Sequence, residues 1–132
     1  MTFPSVEIPL FVYGSLRPGM ALWSEIEPHV SAARPASVEG ALHWHEGGEW
    51  PLLVAGGPGR VRGELLSLRH GDEVNRVIVD EELRYGYDAR WLPVVLEDGA
   101  VVEALVLVWP RRTERGPPIP GGDFAAPLAS GG

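Results

Sequence analysis

A short loop, Tyr13-Gly14-Ser15-Leu16, follows an apolar run and has residue types suited to binding an anion. Glycine lets the backbone approach a ligand closely, and successive amides of such a turn can surround carboxylate or oxyanion oxygens. A plain turn after a strand would also explain these residues. Ser15 is not predicted to be a nucleophile, because no Gly-x-Ser-x-Gly elbow surrounds it.

An acidic cluster, Asp80-Glu81-Glu82, lies at the end of a predicted amphipathic helix. The apolar stripe of that helix consists of Val74, Val77 and Ile78. At about 100° per residue, Glu81 and Glu82 lie on or beside this stripe rather than opposite it. Partial burial favours the protonated form of a carboxyl group, which suits proton transfer near neutral pH. A solvated helix end is the alternative explanation of the cluster.

Two further side chains, Tyr87 and Arg90, follow the acidic cluster at the start of a predicted strand. Arg90 could pair with a substrate carboxylate or with a nearby acidic side chain. His43 and His45 occupy alternate positions of another predicted strand, but two histidines without a third ligand do not indicate a zinc site. We therefore predict no metal site.

The elements that must position these residues are mostly strands. Apolar runs and alternating patterns predict strands at residues 8–13, 38–44, 50–54, 60–68, 90–96 and 100–109. Helices are predicted at residues 20–27 and 72–83. Gly56-Gly57-Pro58-Gly59 is predicted to be a turn within a β-meander, and Glu97-Asp98-Gly99 a hairpin turn. This irregular order predicts an α+β domain whose sheet curls into a small barrel.

The composition is that of an ordinary globular protein. The chain has 132 residues, of which 45% are hydrophobic, enough for one core, and we assign the domain to residues 1–110. Residues 111–132 are rich in Gly and Pro without periodicity, which predicts a flexible, disordered tail.

Charge and leader signals bear on the partners. The net charge of −7 disfavours nucleic acid as a partner, and the absence of cysteine excludes disulfides and thiolate metal sites. With no secretory or membrane-spanning pattern, we expect no membrane partner and a cytoplasmic location.

Taken in order, several segments resemble the γ-glutamylcyclotransferase and AIG2-like family over about residues 8–109. The resemblance is carried by Leu10-Phe11-Val12-Tyr13-Gly14-Ser15-Leu16-Arg17-Pro18-Gly19, Gly40-Ala41-Leu42, Trp50-Pro51-Leu52-Leu53, Val61-Arg62-Gly63-Glu64-Leu65, Tyr87-Asp88-Ala89-Arg90 and a closing hairpin that ends at Val108-Trp109. The family usually shows Leu-Asp-x-x-Glu-Gly, where this chain has Val79-Asp80-Glu81-Glu82-Leu83, with shorter spacing and no glycine.

The resemblance implies a small mixed β-barrel flanked by short helices, and a cofactor-independent enzyme of the lyase or acyltransferase type. Such an enzyme would release 5-oxoproline and a free amine or amino acid from a γ-glutamyl amide, by attack of the substrate's own α-amine on its γ-carbonyl. The partner would be this small γ-glutamyl molecule, and the protein would be a monomer or homodimer.

The resemblance also implies the site residues. Glu82 would be the general acid and base, with Glu81 as the alternative, because the helical projection places Glu81 nearer the centre of the apolar stripe. The substrate would be bound by Tyr13, Gly14, Ser15, Leu16, Tyr87 and Arg90.

The altered acidic motif keeps a second hypothesis open, a catalytically silent module that binds a carboxylate on the same fold. A third hypothesis is a structural partner of another protein that uses Trp44, Trp50 or Trp109 as anchors, although aromatic residues on strands more often belong to the core. Stabilisation by a γ-glutamyl compound that is not consumed would favour the second hypothesis.

Overall fold

Five strands close into a barrel in the computed structural model of the protein, which describes residues 8–14, 17–20, 23–47, 50–69, 86–110 and 112–122. The barrel strands are β1 Ile8–Val12, β2 Val30–His45, β3 Pro51–Leu68, β4 Asp88–Leu96 and β5 Val101–Val108. Their order is β3-β1-β5-β4-β2, and the pairing of β2 with β3 closes the ring. The β1–β5 pair is parallel and the other pairs are antiparallel, so the predicted small mixed β-barrel is confirmed.

Helix is a minor part of the described chain. One turn of α-helix, α1 Trp23–Ile26, continues into a 3₁₀ turn, Glu27–His29, and a second 3₁₀ turn spans Pro120–Gly122. Helix α1 lies within the helix predicted at residues 20–27, whereas the helix predicted at 72–83 lies outside the described residues. Beyond α1, the helices expected to flank the barrel therefore stay a prediction. Within the described ranges, no helix has the length and apolar content needed to cross a membrane.

Strand β1 is buried on both faces, which explains its continuous apolar sequence. Phe11 belongs to the barrel interior, a cluster to which all five barrel strands contribute. Leu10 and Val12 face outward, where they pack with Ile26 of α1 and Leu66 of β3. The loop that follows β1 therefore starts from a strand that is packed on both sides.

The glycine-rich segment 56–59 is a bulge and not the turn that its composition predicts. Pairing of β3 with β2 is regular up to Ala55 and resumes at Arg60, so residues 56–59 are extra residues within one long strand. Gly56 and Gly57 have φ angles of 89° and 88°, which suit glycine. The predicted β-meander is therefore wrong here, because Gly and Pro produce the same local signal in a bulge as in a chain reversal.

The hairpin of β4 and β5 is confirmed. Residue pairing runs from Asp88 opposite Val108 to Val95 opposite Val101. The turn is closed by hydrogen bonds from the Leu96 amide to the Ala100 carbonyl, 2.8 Å, and from the Gly99 amide to the Leu96 carbonyl, 2.9 Å. Gly99 has a φ of 89°, the positive angle that an Asp-Gly turn favours.

Residues 112–122, which the sequence analysis assigned to a flexible tail, pack against the barrel. Strand β6 Arg115–Pro118 pairs with β2 at His43 and His45. Since β3 occupies one edge of β2, β6 lies along the other edge, beyond the point where β4 pairs with β2. Ile119 follows β6, is 3% exposed and joins the interior cluster.

A composition without periodicity could not predict this strand, because tertiary contacts with β2 and the core stabilise it. The remaining tail residues, 111 and 123–132, lie outside the described chain, and the domain boundary at residue 110 stays a prediction.

Candidate active site

Tyr13 lies at the end of β1, at the start of the predicted substrate loop. Its side chain is buried, and its hydroxyl donates a hydrogen bond of 2.6 Å to the carbonyl oxygen of Leu107 in β5. Its ring lies 6.3 Å from that of Phe11, between centroids. Tyr13 therefore anchors the start of the loop to the neighbouring parallel strand.

Gly14 packs closely against Pro51, the first residue of β3. A β-carbon at position 14 would lie 2.9 Å from Cγ of Pro51, too close without a shift of the proline. The Gly14 carbonyl accepts a hydrogen bond of 3.0 Å from the Arg17 amide. Ser15 and Leu16, the other predicted loop residues, lie outside the described chain.

Arg17 forms a bidentate ion pair with Glu64 of β3, which the sequence analysis did not predict. Its Nε lies 2.7 Å from Oε1 of Glu64, and its second contact, from a terminal nitrogen to Oε2, is 3.0 Å. The side chains are 11% and 18% exposed. The two residues are 47 positions apart, and only the register of β1 with β3, which places Glu64 opposite Val12, brings them together.

Tyr87 reaches the same end of the barrel from the start of β4. Its hydroxyl donates a hydrogen bond of 2.7 Å to the carbonyl oxygen of Pro51, and its ring meets Trp109 edge-on at 5.3 Å. Tyr87 and Leu107 belong to one buried cluster. The structure thus brings Tyr13, Gly14 and Tyr87 together around Pro51 and Leu107.

Arg90 is not part of this group. Its side chain is 49% exposed on β4, and its Nε lies 3.1 Å from Oδ2 of Asp88. Asp88 is one of the nearby acids with which the sequence allowed Arg90 to pair, and contact with a substrate carboxylate stays a prediction. Such an exposed pair contributes little stability, because water screens both charges.

The predicted general base, Glu82, and its alternative, Glu81, lie outside the described residues. Both precede Tyr87 closely in the sequence, and Tyr87 is fixed at the barrel end just described. The choice between them stays a prediction.

The two histidines of β2 fasten the C-terminal segment. Nδ1 of His43 lies 3.0 Å from the Gly116 carbonyl oxygen, to which it donates. Nδ1 of His45 accepts from the Gly47 amide at 2.9 Å, and its Nε2 lies 3.3 Å from Oε2 of Glu114. These contacts give both histidines a structural use beside β6. Across the described ranges, no group of three or more His, Cys, Asp or Glu side chains is placed to hold a metal ion.

The sequence of the chain matches the family model described as "Gamma-glutamyl cyclotransferase, AIG2-like" over residues 10–126. The chain belongs to this family. In this AIG2-like chain the matched region begins in β1 and includes β6, so the family pattern covers the C-terminal segment that packs on β2. None of the curated proteins is similar enough in sequence to match.

Several solved structures share the AIG2-like fold. An uncharacterized protein from Pyrococcus horikoshii is 24% identical, with a TM-score of 0.68 over 94% of this chain and 95% of that one. YkqA from Bacillus subtilis is 22% identical, with a TM-score of 0.72 over 96% of this chain, which spans 43% of YkqA. An AIG2-like protein from Mus musculus is 23% identical, with a TM-score of 0.59 over 77% of this chain and 76% of that one. At these identities the likeness shows the fold.

Proposed function

We propose that this AIG2-like chain is a γ-glutamylcyclotransferase-type enzyme that releases 5-oxoproline and a free amine or amino acid from a γ-glutamyl amide. One observation carries the proposal beyond family membership: Gly14 of the candidate loop and Tyr87, which follows the acidic cluster, both contact Pro51. The described start of the candidate loop and the residue that follows the acidic cluster in the sequence therefore meet at Pro51, which supports the proposal.

In the proposed reaction the substrate supplies its own nucleophile. Its α-amine attacks the γ-carbonyl carbon, a new C–N bond closes the five-membered ring, and the original amide C–N bond breaks. Because the step is intramolecular, the protein contributes mainly by holding the reacting groups in place. Glu82 would take a proton from the α-ammonium group and return it to the leaving amine, so no cofactor is required.

Amide groups of the loop that begins at Tyr13 and Gly14 would hold the substrate carboxylate or the developing oxyanion. Ser15 and Leu16 belong to this loop in sequence and are proposed to contribute their amides. Tyr87 would support the site by fixing Pro51, on which Gly14 rests. Arg90 would serve only as an outer attraction for the substrate carboxylate, because its nearest partner is Asp88.

The test of the base is a pair of substitutions, Glu82→Gln and Glu81→Gln, assayed for 5-oxoproline release from a panel of γ-glutamyl amides. We expect Glu82→Gln to lower kcat by about 100-fold or more, because general acid–base catalysis contributes on that order. The matched control is Glu103→Gln, which removes an exposed carboxylate on β5. This variant should keep wild-type activity. Loss in Glu81→Gln alone would move the role to Glu81. A wild-type protein inactive on the whole panel would remove the enzyme proposal.

The altered acidic motif, Val79-Asp80-Glu81-Glu82-Leu83, favours one other function, a catalytically silent module that binds carboxylates. That function predicts that a γ-glutamyl compound raises the Tm and is recovered unchanged after incubation. Formation of 5-oxoproline in the same sample would exclude it. Use of Trp109 as a protein-binding anchor is disfavoured, because that side chain is buried and its indole N–H donates to the Thr113 carbonyl.

A further inference from the structure

The ion pair between Arg17 and Glu64 indicates a role for Arg17 in the candidate site. This inference rests on the proposed function. We infer that Arg17 is a positioning residue, which fixes Gly14 and Arg17, the described residues on either side of Ser15 and Leu16 in the candidate loop, against β3, and that it is not itself the ligand of the substrate carboxylate. An arginine within a predicted anion-binding loop would ordinarily be assigned as that ligand, so the two roles must be separated.

The geometry of the pair is suited to positioning. Two parallel contacts, of 2.7 Å and 3.0 Å, fix the orientation of the guanidinium plane as well as its place. Both side chains are largely shielded from water, which reduces screening of the attraction. Glu64 belongs to the barrel wall, opposite Val12 of β1. The guanidinium of Arg17 is therefore attached to a rigid strand.

The backbone of Arg17 transmits this attachment to Gly14. The Arg17 amide donates to the Gly14 carbonyl at 3.0 Å, so the attachment of Arg17 also fixes the distance between these two backbone groups. Gly14 itself rests on Pro51. Pro51 and Glu64 both belong to β3. Gly14 and Arg17 are thus held by one strand, with Ser15 and Leu16 between them in the sequence.

The charge of Glu64 argues against Arg17 as the carboxylate ligand. The Glu64 carboxylate already accepts two hydrogen bonds from the Arg17 guanidinium, so a substrate carboxylate would have to displace it or lie beside it. Two carboxylates in one poorly solvated place repel each other. A backbone amide is neutral and needs no ionised partner, so it can bind the substrate carboxylate without repulsion from a second carboxylate.

The experiment is a double-mutant cycle of Arg17→Met, Glu64→Gln and the combined variant. We expect each single variant to lower kcat/KM by roughly tenfold to a hundredfold, since small displacements of catalytic groups have effects of that size. The combined variant should be no worse than the poorer single variant, because both remove one contact. Arg34→Met, which breaks the exposed ion pair between Arg34 and Asp98, is the control and should stay within about twofold of wild type.

The same variants distinguish a positioning residue from a ligand. If Arg17 binds the substrate carboxylate directly, Glu64→Gln frees it and binding of 5-oxoproline stays equal or becomes tighter, whereas Arg17→Met loses binding. That result would overturn the inference. Arg17→Lys gives a further comparison, because lysine keeps the charge but not the fork of two donors. Lysine should restore little activity if position matters, and most of it if charge alone matters.

Hydrogen exchange of the Arg17 amide separates failure of this inference from failure of the proposed function, because it needs no substrate. In Arg17→Met and Glu64→Gln this amide should exchange at least about tenfold faster, since its hydrogen bond to Gly14 opens more often. Exchange at the wild-type rate would overturn the inference whatever the activity. A further outcome is faster exchange in the variants while the wild type is inactive but binds 5-oxoproline more tightly than the variants do. That result would support the positioning role of Arg17 and reject the cyclotransferase reaction. A wild type that binds no γ-glutamyl compound and no 5-oxoproline would overturn both.

Discussion

The hydroxyl of Tyr13 and the carbonyl oxygen of Leu107 are joined by a buried hydrogen bond of 2.6 Å, although the residues are 94 positions apart. The bond crosses from the end of β1 to the end of β5, immediately before the candidate loop leaves the barrel. The position of Tyr13, the first residue of the candidate loop, therefore depends on the parallel pairing of these two strands.

Replacement of Tyr13 by Phe removes this bond and keeps the ring in place. We expect the free energy of unfolding to fall by about 1 kcal/mol, the usual net effect of a buried hydrogen bond, or somewhat more if the Leu107 carbonyl is left without a donor. Urea denaturation would measure the change, with an unchanged m-value as the sign of an intact fold. Ser24→Ala, at an exposed position of α1, is a control that also loses one hydroxyl. Equal stability of Tyr13→Phe and wild type would contradict the role given to the bond.

Gly63 tests how closely β3 approaches β1. A β-carbon at this position would overlap the Val12 carbonyl oxygen and lie 2.9 Å from the Phe11 ring. We expect Gly63→Ala to cost about 3 kcal/mol or more, at the upper end for overpacking, because backbone must move. Gly56→Ala is the control: it has a positive φ of 89° but no atom within 4 Å, so it should cost about 1–2 kcal/mol from backbone strain alone. The idea fails if the two variants unfold at the same urea concentration.

Ile119 tests whether the C-terminal segment belongs to the core. Its side chain is buried in the barrel interior, and its amide donates to the Leu42 carbonyl at 2.8 Å. Truncation by Ile119→Ala should lower the free energy of unfolding by about 2–4 kcal/mol, through lost apolar contact and an unfilled space. Val101→Ala, at a side chain that is 63% exposed, should change it by only about 0.5 kcal/mol. Similar urea midpoints for both variants would mean that the segment does not stabilise the barrel.

Asp98 in the β4–β5 turn gives a prediction about pH. The Ala100 amide, and then Arg34, hold the pKa of Asp98 below its usual value of 3.8. Since the folded pKa is the lower one, the charged form stabilises the fold above about pH 4, and this stabilisation is lost as the pH falls through the folded pKa. Urea midpoints of Asp98→Asn and wild type should therefore differ at pH 7 and converge in strong acid. Arg34→Met should show a smaller difference in urea midpoint from wild type at pH 7, which also disappears in strong acid. A difference in urea midpoint between Asp98→Asn and wild type that grows on acidification would contradict the argument.

Local sequence patterns were sufficient for the strands with strong signals. The apolar run before Gly14 predicted β1 because both faces of that strand are buried, and the alternating segments around Asp98 and Gly99 predicted the β4–β5 hairpin because its turn is local. The ordered family motifs likewise predicted the barrel and the family. In the first two cases the signal lies within a run of neighbouring residues, whereas the family is recognised from the order of its motifs along the chain.

Tertiary structure decided the features that depend on residues distant in sequence. The glycines from 56 to 59 form a bulge because β2 remains paired on both sides of them, and β6 exists because an edge of β2 is open to it. Arg17 meets Glu64, and Gly14 meets Pro51, only after β1 and β3 pair in register. Such contacts carry no local signal, because their stability arises from shielding and packing between strands that the folded barrel alone brings together.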